Sequence, residues 1–532
     1  MATAAHAAPV QTVWYILLEN RNFTENETSG GSQVYGSVAA PYINSLITPG
    51  NPNARYVSYC TAYHNALSVY NGVGPSIHPS EPNYVWMEAG SNLSKLDDND
   101  PYGSTLSVNQ IHNFYVANPD YSTQNISGLI QAAGLTWRAY TEEIQQLNLV
   151  GTNFNLGGTL TTATAPESIW TVPLASFSGS SASYTNPYNG THQYNFACKH
   201  TGSLFFSATN GTSSLTVANT STTNPEAQFY SPLPDLAADL AAGTCAQYNV
   251  ITPDQFNDMH TALSGTFSYN GHSFSGDLAQ VAQGDNFLSI VVPEIMASPQ
   301  WQAGGAIVIW TDETEGSNQN DFQHTLTEIL ISPLAKGNAY ASTLNYTHSS
   351  DLATIQEIFQ VTANTGSGFL NDAANLSNPT PAAMVGLQTA LAATAPIAGQ
   401  APIPPSGYGT GQAQDLSDLF VPGTIPSSIP VVAVSSSGYV LNKRTNSLAQ
   451  TVTVTNMLTS AISNPVYLEI GGLSANTSLK NAAGTASDGN PYVVVSPSGL
   501  IPGASGTVTL QFANPASGSV AEILNATTNG TP

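Results

Sequence analysis

The segment Gly304-Gly-Ala-Ile-Val-Ile-Trp-Thr-Asp-Glu313 is an apolar run that stops at two adjacent carboxylates, in a chain where charged residues make up only 8%. Ala306 to Trp310 is short, β-branched and preceded by glycines, the pattern of a fully buried parallel strand and not of a helix. Open α/β sheets bind ligands at the carboxyl ends of their strands, so Asp312 and Glu313 are expected at a sheet rim. Two neighbouring acids repel unless a cation joins them. With nine Lys and Arg in 532 residues, the expected counter-charge is a bound divalent metal ion.

Two further apolar runs end in the same way. Val13-Trp-Tyr-Ile-Leu-Leu18 leads into Glu19-Asn20-Arg21, and Tyr248-Asn-Val-Ile-Thr252 is followed by Asn257-Asp258-Met259-His260. One acid past a strand is ordinarily a solvated loop residue; three such ends point to one rim. Asp258 and His260 offer the oxygen and nitrogen donors used by Zn, Mn or Fe, whereas Glu19, Asp312 and Glu313 offer oxygen alone. His324, twelve residues past Asp312, is a further imidazole for that rim. His348 in Tyr346-Thr-His-Ser349 competes with it for the role, or else caps a helix starting near Ser350. Ser80 lies in Ile77-His-Pro-Ser-Glu-Pro-Asn-Tyr84, where flanking prolines fix a rigid turn. A serine hydroxyl there becomes a nucleophile once a metal or a base lowers its effective pKa.

These residues need a scaffold. Four apolar runs, Thr12–Leu18, Tyr248–Thr252, Ala306–Trp310 and Thr327–Ser332, read as core strands. Helical patterns over Leu236–Ala242, Phe287–Ala297 and Leu352–Phe359, the last after a Ser349-Ser350-Asp351 cap, alternate with them and predict an α/β sheet. Residues 151–227, rich in Gly, Ser, Thr, Asn and Tyr, read as a polar insertion or lid over the rim. We therefore expect a catalytic domain over 1–395, a Pro/Gly-rich linker over 396–430 and a small antiparallel β-sandwich of immunoglobulin-like type over 431–532. The strands of the sandwich are expected at Val431–Val434, Gln450–Val454, Val466–Ile470, Tyr492–Val495 and Thr507–Phe512. The sandwich is an expected place for cell-surface or carbohydrate contact. Trp137 and Tyr140 read as core aromatics more readily than as pocket walls.

Bulk properties exclude other classes. Thirty-three acids against nine bases give a net charge of −24, with no basic stripe for nucleic acid. No run of 18 apolar residues predicts a transmembrane helix. The small residues of Ala2–Pro9 resemble the end of a secretory signal without its apolar region, so we expect a mature secreted or periplasmic chain carrying an added Met1. Three cysteines allow one disulfide at most, and Cys198 with Cys245 is the expected pair.

Leu17-Leu-Glu-Asn-Arg-Asn-Phe23, His78–Tyr84, Leu135–Tyr140 with Glu142, Lys199-His200, Ile251–Pro253 through His260, and Asp312-Glu313 together resemble, in order and form, the bacterial phosphoesterase family of acid phosphatases and phospholipases C, within the alkaline phosphatase superfamily. The likeness spans about residues 12 to 365. It implies an alkaline-phosphatase-like sheet with helices on both faces. It also implies that Glu19, Asn20, Asp312 and Glu313 hold a metal beside Ser80, which attacks phosphorus to give a phosphoserine. Asn83 would bind a phosphoryl oxygen, and Lys199 and His200 would add positive charge. Asp258, His260 and His324 match positions that hold a second metal in two-metal members, and that touch phosphate or protonate the leaving alcohol in one-metal members.

A phosphomonoester dianion is repelled by a chain of net charge −24, so binding must come from local positive charge in a focused pocket. The expected function is a secreted phosphoric ester hydrolase of the acid phosphatase kind, acting on small-molecule phosphomonoesters and using one or more of Zn, Mn, Fe, Ca or Mg. A phosphodiesterase or phospholipase C with the same site is the first alternative, although the exposed apolar or basic surface that a membrane substrate needs is not evident. A catalytically degenerate surface binding protein is the alternative of another class. A glycosidase is disfavoured, because its two carboxyls stand about 5 to 9 Å apart across a sugar and Asp312 and Glu313 are adjacent.

Overall fold

The structure is a computed structural model. It describes residues 9–24, 33–65, 77–92, 98–101, 124–144, 171–174, 176–212, 223–315, 324–363, 368–370, 415–426, 432–444, 446–457, 461–474, 477–486, 489–513 and 523–527, with the single positions 219, 221 and 520. Most of the first half of the expected insertion, 151–170, and most of the expected linker lie outside the described residues. The chain divides into two compact units. One comprises residues 1–359 and 371–427, the other 360–370 and 428–532.

The first unit is built on one eight-stranded sheet: β1 (Val13–Leu18), β2 (Val57–Tyr63), β3 (Trp137–Thr141), β4 (Tyr230–Pro232), β5 (Tyr248–Thr252), β6 (Ala306–Thr311), β7 (Glu328–Ile331) and β8 (Tyr340–Tyr346). Their spatial order is β8-β2-β7-β6-β1-β5-β3-β4. Only β7 runs against the others, antiparallel to both β6 and β2. All six residues of β1 and of β6 are buried. That burial is why these strands read as continuous apolar runs and not as alternating ones. Their register aligns Val13 with Ala306 and Leu18 with Thr311. Glu19 and Asp312 therefore leave the sheet side by side, each one residue past a paired strand end.

Three helices matter for the site. The first, α1 (Ser80–Ala89), starts directly after Pro79 and stops at Gly90, whose φ of 69° is the left-handed geometry that a glycine terminates a helix with. The second, α2 (Asp277–Ala297), extends the expected Phe287–Ala297 helix by ten residues at its amino end. The third, α3 (His348–Phe359), starts at His348 and not after the expected Ser349-Ser350-Asp351 cap, so His348 is a helical residue and no cap for a later start. Trp137 and Tyr140 are buried in β3.

The expected Cys198–Cys245 disulfide is absent: all three cysteines are free and buried. The Cys198 thiol instead donates to the Pro173 carbonyl at 3.0 Å. Burial pushes all three thiols up, which keeps them protonated.

Residues 415–426 belong to the first unit, where Asp418 accepts hydrogen bonds from Tyr340 and Ser342 and pairs with Lys336. The second unit contains two four-stranded antiparallel sheets, one joining Val432–Ser436, Val440–Asn442, Ser447–Asn456 and Ser505–Ala513, the other Val466–Gly471, Gly484–Thr485, Pro491–Ser496 and Ile523–Thr527. Val452, Val454, Leu510 and Phe512 from the first sheet and Val466, Leu468, Ile470 and Val493 from the second share one buried apolar cluster. Among the described residues no helix is long and apolar enough to cross a membrane.

Candidate active site

Three strand ends converge, joined by backbone hydrogen bonds that continue the sheet beyond its strands. Asp312 donates its amide to the Leu18 carbonyl, Glu19 to the Asp258 carbonyl, and Glu142 to the Thr252 carbonyl. The turn after β1 places Asn20 at φ 46°, and its amide donates to Asp312 Oδ1 at 3.0 Å. Asn tolerates that left-handed conformation better than most side chains.

Ser80 opens α1 beneath this rim. Its hydroxyl lies 3.0 Å from Glu19 Oε2 and 3.2 Å from Glu313 Oε1. The single proton serves one carboxylate at a time, and either can accept it. The N-cap, Pro79, has no side-chain hydrogen bond to offer the first turn, and the peptide before it is cis. The amino end of α1 carries a partial positive charge that favours an anion at Ser80, and its Glu81 amide already donates to the Asp98 carboxylate at 3.4 Å.

The spacing along α1 sets the partners. Asn83, three residues on, donates to Glu313 Oε2 at 3.0 Å and to the Ile77 carbonyl. Tyr84, four residues on and on the same face, donates to Glu19 Oε1 at 2.7 Å. Tyr84 also stacks on His200 at 5.0 Å between ring centres. The sequence reading gave Tyr84 no role, although its i+4 spacing from Ser80 was the available signal. It also passed over His78, whose Nδ1 lies 2.9 Å from Glu313 Oε2. Arg21 is likewise positional: it bonds the Met259 carbonyl and Gln280 and pairs with Glu315.

His200 is 1% exposed. Its Nε2 lies 3.1 Å from Glu19 Oε1 and its Nδ1 3.3 Å from Asp258 Oδ2, but neither contact has the alignment of a hydrogen bond. Burial opposes the charge on Glu19, yet its neighbours, the Tyr84 hydroxyl among them, hold its pKa below the usual carboxylate value. His200 is itself pushed down to about 3 by burial, so it meets Glu19 as a neutral ring. That leaves the Tyr84 and Ser80 hydroxyls as the donors to this carboxylate. Burial, reinforced by the Glu19 charge, raises Asp312 and Asp258 well above the ordinary range. Burial also pushes Glu313 up to about 7, against the pull of His78.

The structure thus gathers Glu19, Asn20, Ser80, Asn83, His200, Asp258, Asp312 and Glu313 by direct contact or one shared neighbour. His260 is held by its amide on Asp258 Oδ1 at 2.8 Å, its ring centre 6.1 Å from that of His200. Lys199 pairs with Asp98. His324 is buried directly before Thr325, whose short strand pairs with Asn22–Thr24 beyond β1, and its Nδ1 has no hydrogen-bond partner.

A divalent cation suits the donors at this rim. Asn20 Oδ1, Asp258 Oδ2, Asp312 Oδ2 and both His200 nitrogens are buried without hydrogen-bond partners, a costly state for polar atoms unless something binds them. All are oxygen or imidazole donors of the kind such ions take. A second acidic group lies at the same sheet edge. Glu142, Glu143 and Asp254 are buried and bring one ligand oxygen each to within 4.8 Å of one another, the sole such trio among the described residues. Glu142 and Glu143 are well supplied with donors, including Asn186 and Asn257 on Glu142 and Tyr184 on Glu143, whereas Asp254 Oδ2 is buried without one.

The first unit is thus a mixed α/β sheet whose rim sets buried acids around a serine at a helix amino end. The model of the Phosphoesterase family matches residues 50–362, more than half of the chain, and the protein belongs to that family. This places it among hydrolases of phosphoric esters. Glu19 and Asn20 precede the matched region, while Ser80, Asp258 and Asp312 lie inside it. No curated protein matches the chain. Among solved structures, it is similar to a protein of the alkaline phosphatase superfamily from Vibrio parahaemolyticus, at 11% identity over 67% of this chain and 68% of that one, TM-score 0.35. It is also similar to Ps i-CgsB, at 11% identity over 66% and 72%, TM-score 0.32. A third similar structure comes from work on glycosaminoglycan metabolism by Bacteroides thetaiotaomicron, at 10% identity over 84% and 88%, TM-score 0.34.

Proposed function

We propose that the protein is an extracytoplasmic acid phosphatase that hydrolyses phosphomonoesters through a phosphoserine at Ser80. The observation that carries this is the Ser80 hydroxyl, set at the amino end of α1 and bonded to Glu19 and Glu313 at 3.0 and 3.2 Å. The Ser80 oxygen attacks phosphorus, its proton passes to Glu19 or Glu313, and the ester P–O bond breaks. The leaving alkoxide takes a proton from an imidazole, His260 or His324. Water then cleaves the phosphoserine in the reverse sense, returning the proton to Ser80.

Glu19, Asn20, Asp312 and Glu313 would hold a divalent cation; Asp258, His260 and His324 would either be ligands of a second ion in a two-metal site or, in a one-metal site, face the phosphate and protonate the leaving alcohol as above. When bound, such ions supply the positive charge that phosphate needs in a chain of net charge −24. Asn83 would turn from Glu313 to a phosphoryl oxygen, and Lys199 and His200 would border the phosphate.

The test compares wild type and Ser80→Ala on an aryl phosphomonoester, an aryl diester and phosphatidylcholine. Loss of turnover by at least about a thousandfold in S80A, with folding retained, is expected. Near wild-type rates in S80A would remove Ser80 as nucleophile. Faster turnover of the diester or lipid would replace the phosphatase with a phosphodiesterase or phospholipase C.

A further inference from the structure

His348 lies outside the set assigned above, yet it touches the backbone of the two adjacent acids. It is fully buried at the start of α3. Its Nε2 is 2.5 Å from the carbonyl oxygen of Asp312. A carbonyl only accepts, so Nε2 must carry the proton. In a neutral ring Nδ1 is then an acceptor: the Trp310 indole N–H meets it at 3.2 Å, shared with the Tyr63 oxygen at 3.0 Å, and the Tyr63 hydroxyl lies 2.9 Å away. Tyr63 is anchored in turn on Asp351, whose other oxygen takes the Tyr15 hydroxyl at 3.0 Å. The Trp310 ring packs 4.7 Å from the imidazole centre.

The carbonyl in question belongs to the peptide that joins Asp312 to Glu313. On the amino side, the Asp312 N–H is already fixed on Leu18. The plane of this peptide is set by ψ of Asp312 and φ of Glu313, the two backbone dihedrals that separate the side chains of the adjacent acids. One hydrogen bond on this oxygen therefore orients both side chains at once.

We propose that His348 is a positioning residue which, as the Nε2–H tautomer, locks the Asp312–Glu313 peptide and so aims both carboxylates at the Ser80 site. Its catalytic consequence rests on the phosphoesterase function proposed above; its structural content does not. Ordered partners behind reactive groups are held in this way because small misplacements at a site are costly.

The full chain labelled with [15N]histidine tests the tautomer directly, with and without added divalent metal, and the His348→Gln spectrum assigns the signal. Protonated Nε2 and unprotonated Nδ1 are expected; a proton on Nδ1 overturns the proposal. On an aryl phosphomonoester, His348→Ala should lower kcat about 10–100-fold with little change in KM. His348→Gln carries an amide N–H at similar reach and should restore most of the loss. Equal defects in H348A and H348Q, with matching thermal midpoints, would refute the positioning role. If H348A does not fold, H348Q near wild-type rate together with the Nε2–H signal supports the proposal, and either one failing sinks it. A wild-type chain inert on every phosphoester would overturn the proposed function, while the tautomer experiment would still decide for or against the lock.

Discussion

Tyr84 and Ser80, one helical turn apart on α1, hydrogen-bond the two oxygens of the same Glu19 carboxylate, at 2.7 and 3.0 Å. Tyr84 sets which oxygen is left to face the nucleophile. Removing the phenol hydroxyl leaves a buried carboxylate oxygen short of a donor, a change that costs about 1–3 kcal/mol. Tyr84→Phe should lower kcat about tenfold and leave KM almost unchanged, because the aromatic stack on His200 survives. Steady-state kinetics on an aryl phosphate check this, and a rate within twofold of wild type would show that Glu19 needs no such clamp.

Arg21 makes a second prediction. Its guanidinium, buried just after Glu19, ties the Met259 carbonyl, Gln280 and Glu315 together, and Met259 separates Asp258 from His260. Lysine keeps the charge but lacks the planar fork that spans several acceptors. Arg21→Ala should destabilise the fold by about 2–4 kcal/mol, and Arg21→Lys should recover only part of that loss. Denaturant titrations of the two variants decide it; a lysine variant as stable as wild type would reduce Arg21 to a simple charge.

The central elements were readable because burial on both faces writes itself as unbroken β-branched and aromatic runs: β1, β5, β6 and β7 all lie where the sequence places them. Edge strands such as β4 and β8 were not, since Tyr-Ser-Pro and Tyr-Ala-Ser-Thr-Leu-Asn-Tyr carry no such run. The first half of α2 was missed because Gln280, Gln283, Gly284 and Asp285 dilute its apolar stripe. Gln283 and Asp285 are buried for tertiary reasons: Asp285 caps the Pro41–Leu46 helix through the amides of Tyr42 and Ile43. Strand-end acids announced the rim. The roles of His78 and His348 depend on which side chains meet across the sheet, and no local spacing encodes that. The cysteine pairing failed for the same reason, because parity allows a bond that geometry does not form.

Buried acids give a third prediction. Burial pushes Glu88 up to about 7 from 4.5, against its bonds to Ser127 and Asn125, and pushes Asp285 up to about 7 from 3.8, against its bonds to Ile43 and Tyr42. The folded chain therefore keeps both protons through a window in which the unfolded chain has released them. Stability is full below the unfolded values and falls as pH rises toward 7, by up to about 1.4 kcal/mol per pH unit for each group. The thermal midpoint of chelator-treated protein should drop between about pH 5 and pH 7.5, and Glu88→Gln should flatten the slope. A midpoint that climbs across that interval contradicts the assignment.

Metal removal is the fourth. Asp312 keeps one oxygen on the Asn20 amide and has the other buried with no donor, so ionised it is a ligand in waiting and protonated it is a poor one. Dialysis against a chelator should abolish turnover of an aryl phosphate while far-UV circular dichroism stays the same, and one of Zn, Mn, Fe, Ca or Mg should restore it. Asparagine at position 312 preserves the Asn20 contact and removes only the charge. Asp312→Asn should then weaken metal retention by more than about tenfold at neutral pH, a loss read by elemental analysis after dialysis. Because metal and protons compete for the same raised carboxylates, wild-type retention should also weaken on acidification. Full activity in wild-type protein that elemental analysis finds free of metal would leave the serine to its two carboxylates alone, and would remove the cation from the chemistry.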